Sequence, residues 1–470
     1  MKPTLHSVFP VAAVKAAAAA AALAAAPLAM ADGNTLEGWA MLPANTFSEG
    51  PTSGQFAGAG AGGNPLPLIN QQAVQGFSAV LAGPVAGSFL VMPDNGFGTQ
   101  GNSADSLLRM YAVRPDFRTA GGGSGSVFAL DYGSGAALPG FAPASHITLA
   151  DPDRKLGFAI QADYANYYNN AANPLVDARI RTGRLLTGAD LDIESVRKDK
   201  NGRLWFGDEF GPFLVKTDAT GKVLRAEVAL PGVMSPQNPF LGGGTANLSA
   251  SRGFEGMAIN AAGDTLYTLL EGTVTGDPAK SLRINAFDVD TEQFGAKSWL
   301  YHLEDDGTNI GDMTALNDHE FLVIERNSAT ATAGGTPFKR IYRIDLNTVD
   351  ANGHVGKTEL VDLMNIADPN DLNGDGSTVF SFPFVTIEGV LLLDANTLLV
   401  INDNNYPGTG GRNLGSDNTE FLKIDLAAAV PEPQTWALML AGLVAGVARR
   451  RRAHRIATPA RVLTCLSAAR

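Results

Sequence analysis

Carboxylate residues recur at two matching positions in several segments of the chain. In each segment an acidic residue opens an apolar run, and another acidic residue ends the next apolar run 13 to 16 residues later. The opening residues are Glu194, Glu255, Asp312 and Glu388, and the closing residues are Asp208, Glu209, Glu271, Glu325 and Asp403. Carboxylates brought close together must share protons or bind cations. Because every ligand in these sets is an oxygen, Ca²⁺ is the expected ion, ahead of Mg²⁺ or Mn²⁺.

These carboxylates could perform hydrolysis with a metal-activated water. The catalytic candidates are Glu194, Glu255, Glu388 and Asp403, and the metal candidates are Asp208, Glu209, Glu271 and Asp312. The alternative interpretation is structural, with each carboxylate capping a strand end and accepting hydrogen bonds from backbone amides. The sequence contains no G-x-S-x-G and no H-E-x-x-H motif, so neither an α/β-hydrolase nucleophile nor a zinc-protease site is expected.

A second candidate calcium site lies in a polar turn. Asp371, Asn373, Asp375 and Gly376 have the D-x-N-x-D-G spacing that opens an EF-hand loop. The bidentate glutamate expected at the twelfth position is missing, because Phe382 stands there. A plain turn rich in Asn, Asp and Gly explains the same residues.

Four basic residues lie close in sequence to the acidic positions and could contact an anionic substrate. They are Lys216, Arg252, Arg326 and Arg412. Arg412 ends the glycine-rich stretch 407–412, whose backbone amides could face a phosphate. A flexible loop is the alternative interpretation of that stretch.

The elements that must position these residues are short strands arranged as a repeat. Each pair of apolar runs is followed by a third with apolar/polar alternation, as in a half-buried antiparallel strand. Clear repeats begin near residues 194, 255, 312 and 388, and a weaker one begins near 78. The long interval before 194 predicts a degenerate repeat within residues 115–190.

This repeat predicts an all-β fold, a β-propeller of roughly six blades. The last copy lacks a fourth strand, and the N-terminal segment Leu36–Leu42 could supply it and close the ring. A β-sandwich pair is the alternative architecture. In a propeller the first strand of each blade lines the central channel, so the repeated carboxylates would converge there.

Both ends of the chain carry export signals. Residues 1–31 have the basic start, apolar run and Ala29-Met30-Ala31 site of a secretory signal peptide. Pro431-Glu432-Pro433, the apolar segment 434–448 and the arginines at 449–452 resemble the PEP-CTERM sorting signal, which covers 430–452. This resemblance implies processing by an exosortase, a transient membrane anchor and delivery to the cell surface or exterior of a Gram-negative, exopolysaccharide-producing bacterium. An atypical basic tail, 453–470, holds the only cysteine, Cys465.

The charge balance excludes one class of partner. The full chain has a net charge of −12. Residues 32–429, the predicted mature domain, hold 26 basic and 46 acidic residues, a net charge of −20. Nucleic-acid binding needs Lys and Arg against phosphates, so it is not expected. Cation binding is expected.

Several motifs resemble the phytase-like family, known for an "esterase-like activity of phytase". The matching stretches are residues 47–54, 192–195, 205–212, 252–256, 387–389 and 402–407. The resemblance implies a hydrolase of phosphoesters. Two alternatives stay open: an ester or lactone hydrolase similar to gluconolactonase-type propellers, and a non-catalytic surface propeller that binds extracellular polysaccharide.

Overall fold

The computed structural model describes residues 33–58, 66–413 and 415–427. The predicted signal peptide, sorting signal and basic tail lie outside the described residues. The described part is mostly β-structure, with 25 strands and one short α-helix, α1 (Ala178–Gly183). Four 3₁₀ turns span Gln100–Asn102, Pro143–Ser145, Gln161–Asp163 and Tyr167–Asn169. Within these ranges we find no helix long and apolar enough to cross a membrane.

The first eight strands are β1 (Thr35–Leu42), β2 (Phe47–Glu49), β3 (Gln71–Ala73), β4 (Phe77–Ala82), β5 (Phe89–Pro93), β6 (Arg109–Asp116), β7 (Ser126–Ala129) and β8 (His146–Thr148). Strands β4 to β7 pair antiparallel in sequence order, and β8 also pairs with β6. Strand β1 joins them through a parallel pairing with β7. Strands β2 and β3 form a separate hairpin-like pair.

The next twelve strands form three four-stranded antiparallel sheets, each built from consecutive strands. The first contains β9 (Ile193–Lys198), β10 (Leu204–Asp208), β11 (Phe213–Thr217) and β12 (Val228–Ala229). The second contains β13 (Phe254–Ile259), β14 (Thr265–Leu270), β15 (Ser281–Asp288) and β16 (Gln293–His302). The third contains β17 (Asn309–Ala315), β18 (Glu320–Arg326), β19 (Lys339–Val349) and β20 (Val355–Asp362).

The final strands are β21 (Ile366–Ala367), β22 (Val379–Phe380), β23 (Thr386–Asp394), β24 (Thr397–Asp403) and β25 (Thr419–Asp425). Strands β23, β24 and β25 pair antiparallel, and β1 then pairs antiparallel with β25. Trp39 of β1 lies opposite Leu422 of β25. The N-terminal strand is therefore the fourth strand of the C-terminal sheet, in the place that the sequence predicted for it.

Five strands, which we call the inner strands, contact one another in a ring. They are the first strands of the five units: β4, β9, β13, β17 and β23. Strand β4 packs against β9, β9 against β13, β13 against β17, β17 against β23, and β23 against β4. Apolar side chains fill the space between neighbouring sheets, such as Trp205 against Phe287, whose ring centroids are 5.0 Å apart.

The degenerate blade predicted within residues 115–190 is not present as a sheet, although the structure describes all of these residues. They supply β7 and β8, which both pair with β6, together with three of the 3₁₀ turns and α1. Leu149, Tyr167 and Ile180 of this segment pack in one apolar core with side chains of the β4–β7 strands and of the sheet β9–β12. The long interval between repeats is thus an insertion, because its two short strands extend an existing sheet and its other apolar residues cover sheets without forming a new one.

Candidate functional site

A β-bulge interrupts each inner strand near its first residue. In four of these strands one residue has no partner on the neighbouring strand. These unpaired residues are Ser78, Glu194, Glu255 and Glu388. In β17 the bulge contains two residues, Gly311 and Asp312. A bulged residue leaves the hydrogen-bonding ladder, and the bend redirects its side chain. The bulges therefore explain how the side chains of opening residues on separate strands come to lie in one region of the interior.

Seven buried carboxylates meet in this region, and we call them the acidic cluster. They are Asp192, Glu194, Glu209, Glu255, Glu271, Glu388 and Asp403, each between 2% and 8% exposed. Three come from bulges, while Glu209, Glu271 and Asp403 stand at the ends of second strands. Antiparallel pairing brings these two groups of carboxylates together, because the end of each second strand lies beside the start of its inner strand.

Two triads within the acidic cluster have the geometry of a cation site. Oxygen atoms of Asp192, Glu194 and Glu209 lie within 4.8 Å of one another. The same holds for oxygens of Glu209, Glu255 and Glu271. Glu209 belongs to both triads, so the two groups form one continuous set of oxygen ligands.

Arg326 supplies the buried positive charge of the cluster. Its Nη2 donates to Glu388 Oε1 at 2.8 Å, and it lies 3.3 Å from Glu255 Oε1 and 3.4 Å from Glu271 Oε1. Arg252, which is more exposed, pairs with Glu271 through Nη1 and Oε2 at 2.7 Å. Seven carboxylates thus face one buried and one half-exposed guanidinium, which leaves the cluster short of positive charge.

Neutral donors satisfy several of the remaining oxygens. Asn95 Nδ2 donates to Asp192 at 2.7 Å, Asn309 Nδ2 donates to Glu271 at 2.7 Å, and Ser78 Oγ donates to Glu388 at 3.1 Å. Glu209 Oε1, in contrast, is fully buried and accepts no hydrogen bond. A buried oxygen without a donor is costly, and Glu209 belongs to both triads, so the donor set fits a hard divalent cation.

The crowding raises the pKa of most members of the acidic cluster. Burial is the largest cause for Glu209 and Glu255, followed by repulsion from Glu271, and it raises the pKa of both well above the usual range. Burial also raises the pKa of Asp192 to about 6 and that of Glu388 to about 8, although Arg326 lowers the latter. Without a cation Glu388 therefore holds its proton at neutral pH, and the other three groups ionise at a higher pH than usual.

Comparison with known protein families identifies two matching segments of the chain. Residues 72–406 match the model of the phytase-like family, described as "esterase-like activity of phytase". The chain belongs to the phytase-like family. Residues 429–452 match the PEP-CTERM protein-sorting motif, which implies export, exosortase processing and surface sorting. The family description names an esterase-like activity, so the phytase-like domain is related to hydrolases.

Individual relatives of the phytase-like domain are distant. An uncharacterized secreted protein of Arthroderma benhamiae is 24% identical over 172 residues, which are 30% of this chain and 33% of that relative. The chain thus matches about a third of the length of that curated relative.

Solved structures similar to the chain are also remote in sequence. A luciferin-regenerating enzyme has 10% identity, covers 85% of this chain and 96% of its own, and has a TM-score of 0.34. Regucalcin from Agrobacterium tumefaciens, a calcium-binding protein, has 13% identity, covers 82% and 98%, and has a TM-score of 0.32. An exo-β-1,3-galactanase from Phanerochaete chrysosporium has 11% identity, covers 79% and 63%, and has a TM-score of 0.36. At these scores the likenesses carry no functional argument.

Three of the repeated acidic residues stand outside the acidic cluster of the phytase-like domain. Asp208 accepts hydrogen bonds from the amides of residues 192 and 211, both at 2.8 Å, which caps a strand end. Glu325 accepts from the Tyr301 hydroxyl and from Lys357. Asp312 pairs with Arg197, and it stands two residues after the paired Ile310, whereas the other opening residues directly follow a paired residue. For Asp208, Glu325 and Asp312 the structure shows the contacts of the structural interpretation.

Other predicted residues of the phytase-like domain lie away from the cluster. Lys216 pairs with Glu292 at 2.6 Å and lies over the Trp205 ring. Arg412 pairs with Glu420 at 2.7 Å. The structure brings neither of them to the acidic cluster, and their role in substrate binding stays a prediction.

The predicted calcium turn is a separate surface loop. Asp371 Oδ1 accepts from the amide of Gly376 at 3.0 Å, and Asn373 Nδ2 donates to Asp375 at 2.8 Å. These are contacts that a polar turn makes without a metal. A calcium site at Asp371, Asn373 and Asp375 therefore stays a prediction, independent of the acidic cluster.

The sequence reasoning missed two carboxylates beside the predicted ones. Asp192 precedes β9 by one residue and belongs to a triad. Asp94 follows β5, which is the closing position of the weak first repeat, and its pKa is raised by burial and then by Asp403 and Asp192. Both residues stand in stretches that the sequence marks, Asp94 at the closing position of the weak first repeat and Asp192 in the stretch 192–195 that resembles the phytase-like family, but neither was predicted as a site residue.

Proposed function

We propose that this chain is an exported, metal-dependent hydrolase of phosphoesters or esters, with its catalytic centre in the acidic cluster. The single observation that carries the proposal is the state of Glu209, which belongs to both carboxylate triads and whose buried Oε1 has no donor. The family description supplies the reaction class, and the triads supply a place for a cation.

The proposed architecture is a closed propeller of five blades. Support comes from the five inner strands, which contact one another in a cycle, and from β1, which pairs with β25 as an outer strand. Joining the first and last strands in one sheet leaves no gap between the ends of the repeat. On this proposal the acidic cluster lies at one end of the central channel.

Ca²⁺ is the proposed ion. The cluster offers only oxygen ligands, and seven carboxylates of different strands form an irregular set, which suits the flexible coordination of Ca²⁺ better than the strict octahedron of Mg²⁺. When bound, such an ion would polarise an ester or phosphoryl oxygen and lower the pKa of water. Glu194, Glu209, Glu255 and Glu271 are the residues proposed to hold it, together with Asp192.

The chain's own residues would orient the substrate and manage protons. Arg252, whose side chain is 37% exposed, can exchange its pairing with Glu271 for an anionic group of the substrate. A cavity of about 230 Å³ opens beside Asp94 and Asp403 and gives access to the cluster. Asp403 and Glu388 both have raised pKa values, so either could hold the proton that a leaving group needs.

The proposed location is the cell surface or the exterior. The sorting motif supports export with exosortase processing, and the matching protein of Arthroderma benhamiae is described as secreted. The predicted transient membrane anchor at 434–448 is part of this proposal.

The testing experiment measures hydrolysis by the purified protein on phytate, an aryl phosphate and an aryl acetate, each with Ca²⁺ and with EDTA. We expect Ca²⁺-dependent product release that falls at least a hundredfold in Glu209→Gln. The matched control is Glu37→Gln, because Glu37 is an exposed glutamate on the outer strand β1 that pairs only with Lys423 at 3.1 Å. The control should keep full activity.

The pattern of products separates the alternatives. Release of acetate alone would show that the protein is an ester or lactone hydrolase and not a phosphoester hydrolase. No turnover of any substrate, from a folded protein that binds Ca²⁺, would contradict the hydrolase proposal. A surface protein that binds extracellular polysaccharide would then be the better account.

A further inference from the structure

A second cavity lies at the opposite end of the ring of inner strands from the acidic cluster. Its volume is about 580 Å³, which is in the range typical of small-molecule sites. Residues from the second half of all five inner strands line it, namely Leu81, Lys198, Ile259, Ala315 and Leu391. Every inner strand therefore runs from the acidic cluster at its start to this cavity, which we call the distal cavity, at its end.

A buried ion pair separates the distal cavity from the acidic cluster. Arg197 lines the cavity, but its Nη2 donates to Asp312 Oδ1 at 2.7 Å and to Met313 O at 2.6 Å, and its Nη1 donates to Val196 O at 2.6 Å. Both partners are buried. The guanidinium charge is thus already neutralised inside the protein, and the cavity does not share carboxylates with the cluster.

The walls of the distal cavity are mostly apolar. Leu81, Leu90, Ile259 and Leu391 are all half-buried and leave part of their surface facing the open space. Half-buried apolar side chains around one concave space gain free energy when an apolar ligand covers them.

One positive charge stands at the rim. The exposed Lys198 lines the cavity, and within the described part of the chain its ammonium has no hydrogen-bond or ion-pair partner. None of the residues lining the cavity is acidic. Asp131, next to the lining residue Tyr132, uses its carboxylate to accept from the Gly133 and Ser134 amides. The only charge that the cavity offers to a ligand is therefore positive.

We infer that the distal cavity binds an apolar monoanion, a carboxylate with an alkyl or aryl body, whose anionic head pairs with Lys198. The apolar body covers the leucine and isoleucine side chains, and the head stays at the rim. This site is distinct from the proposed catalytic centre, and a ligand can occupy it whether or not the acidic cluster holds a cation.

The test is calorimetric titration with decanoate, an apolar carboxylate, and with decylammonium, which has the same chain and the opposite charge. EDTA keeps calcium from precipitating decanoate. Decanoate should bind the wild-type protein at one site, with at least tenfold higher affinity than decylammonium. Lys198→Glu should weaken decanoate by about tenfold or more and strengthen decylammonium. Because Lys198 is exposed, this variant is expected to fold.

Three controls make the test specific. Lys297→Glu changes an exposed lysine on the outer strand β16 and should leave decanoate affinity unchanged. Glu209→Gln, in the acidic cluster, should also leave it unchanged. Ala315→Trp, which fills the distal cavity from β17, should abolish binding.

The inference would be overturned if decanoate did not bind, or if its affinity were the same in the wild-type protein and in Lys198→Glu. So would loss of binding in Glu209→Gln, because the ligand would then lie at the acidic cluster. A wild-type dimer that dissociates in Lys198→Glu would also overturn it, since a second copy of the chain would then cover the cavity.

Discussion

Arg197 and Asp312 form an ion pair, 2.7 Å from Nη2 to Oδ1, that links β9 to β17 across the interior of the ring of inner strands. Asp312 is fully buried and Arg197 nearly so. Burial raises the pKa of Asp312 to about 6, although Arg197 lowers it, so the carboxylate is ionised at pH 8. The pair also bridges two strands that are not neighbours in the ring.

Breaking this pair should destabilise the protein strongly. Asp312→Ala leaves the Arg197 charge buried without a counterion, and such losses cost about 3–5 kcal/mol. Urea unfolding at pH 8 measures the change in free energy. Asp290→Ala removes the partner of Lys200 in an exposed pair and should change the stability much less. Equal losses in the two variants would contradict the role given to burial.

Arg326 should be most important when the acidic cluster holds no cation. Arg326→Gln removes the charge that Glu255, Glu271 and Glu388 share, and in EDTA we expect a loss of about 3–5 kcal/mol in unfolding free energy. Added Ca²⁺ should recover part of that loss by mass action. Arg343→Gln, which breaks a half-exposed pair with Glu320, serves as the control. A loss of the same size with and without Ca²⁺ would argue against a cation in the cluster.

Metal-free stability should fall as the pH rises from about 4 to about 8. The pKa of Asp192 is raised to about 6 and that of Glu388 to about 8, so the folded state holds protons that the unfolded state has already released. Each such proton contributes a slope of about 1.4 kcal/mol per pH unit. The stabilisation is complete at pH values below the pKa of the unfolded state. It is lost as the pH rises through the pKa of the folded state. Urea unfolding in EDTA at several pH values measures the slope.

Substitution within the cluster tests the origin of that slope. Glu388→Gln should flatten the profile between pH 6 and pH 8, because it removes one titrating group whose pKa is about 8. Saturating Ca²⁺ should flatten or reverse the profile, since bound metal favours the ionised carboxylates. A metal-free stability that is constant over this range would show that the cluster stays ionised.

The junction of β1 with β25 should contribute to global stability. Trp39 is 9% exposed, and its Nε1 donates to Glu420 Oε2 at 3.0 Å, which ties the N-terminal strand to the C-terminal sheet. Trp39→Ala should lower the unfolding free energy by about 3–5 kcal/mol within a single transition. Phe128→Ala, at a residue of β7 that is 45% exposed, is the control. Early amide exchange confined to residues 35–42 would indicate that β1 opens independently.

Much of the site could be predicted from the sequence, because equivalent residues of the repeats occupy equivalent places in the structure. Glu194, Glu255 and Glu388 occupy the same place in their repeats, and the same bulge redirects each of them. The prediction assigned Asp312 to this set by residue type. In β17 Gly311 follows the paired Ile310 and Asp312 comes one residue later, and its contact with Arg197 depends on pairing geometry that composition does not encode.

The roles of basic residues and the number of sheets were harder to predict. Arg326 and Lys216 look alike in sequence, since both stand near acidic positions. Arg326 ends a second strand and enters the cluster, whereas Lys216 lies on a third strand and pairs with Glu292. Residues 115–190 contain apolar runs like those of strands. Apart from the short strands β7 and β8, they pack over the β4–β7 strands and the sheet β9–β12 without forming a sheet of their own, because tertiary burial, not local pattern, decides their pairing.

The bulges have an evolutionary consequence. A residue in a bulge makes no ladder contact, so its side chain can change without disturbing the register of its sheet. Each of the five inner strands thus has one position where a mutation can change the side-chain chemistry independently of the other strands. Ser78 shows this freedom, because it holds a hydroxyl where three other strands hold a glutamate. Descendants of one ancestral scaffold could diverge in ion or substrate preference through single substitutions at these positions while the surrounding framework is inherited intact.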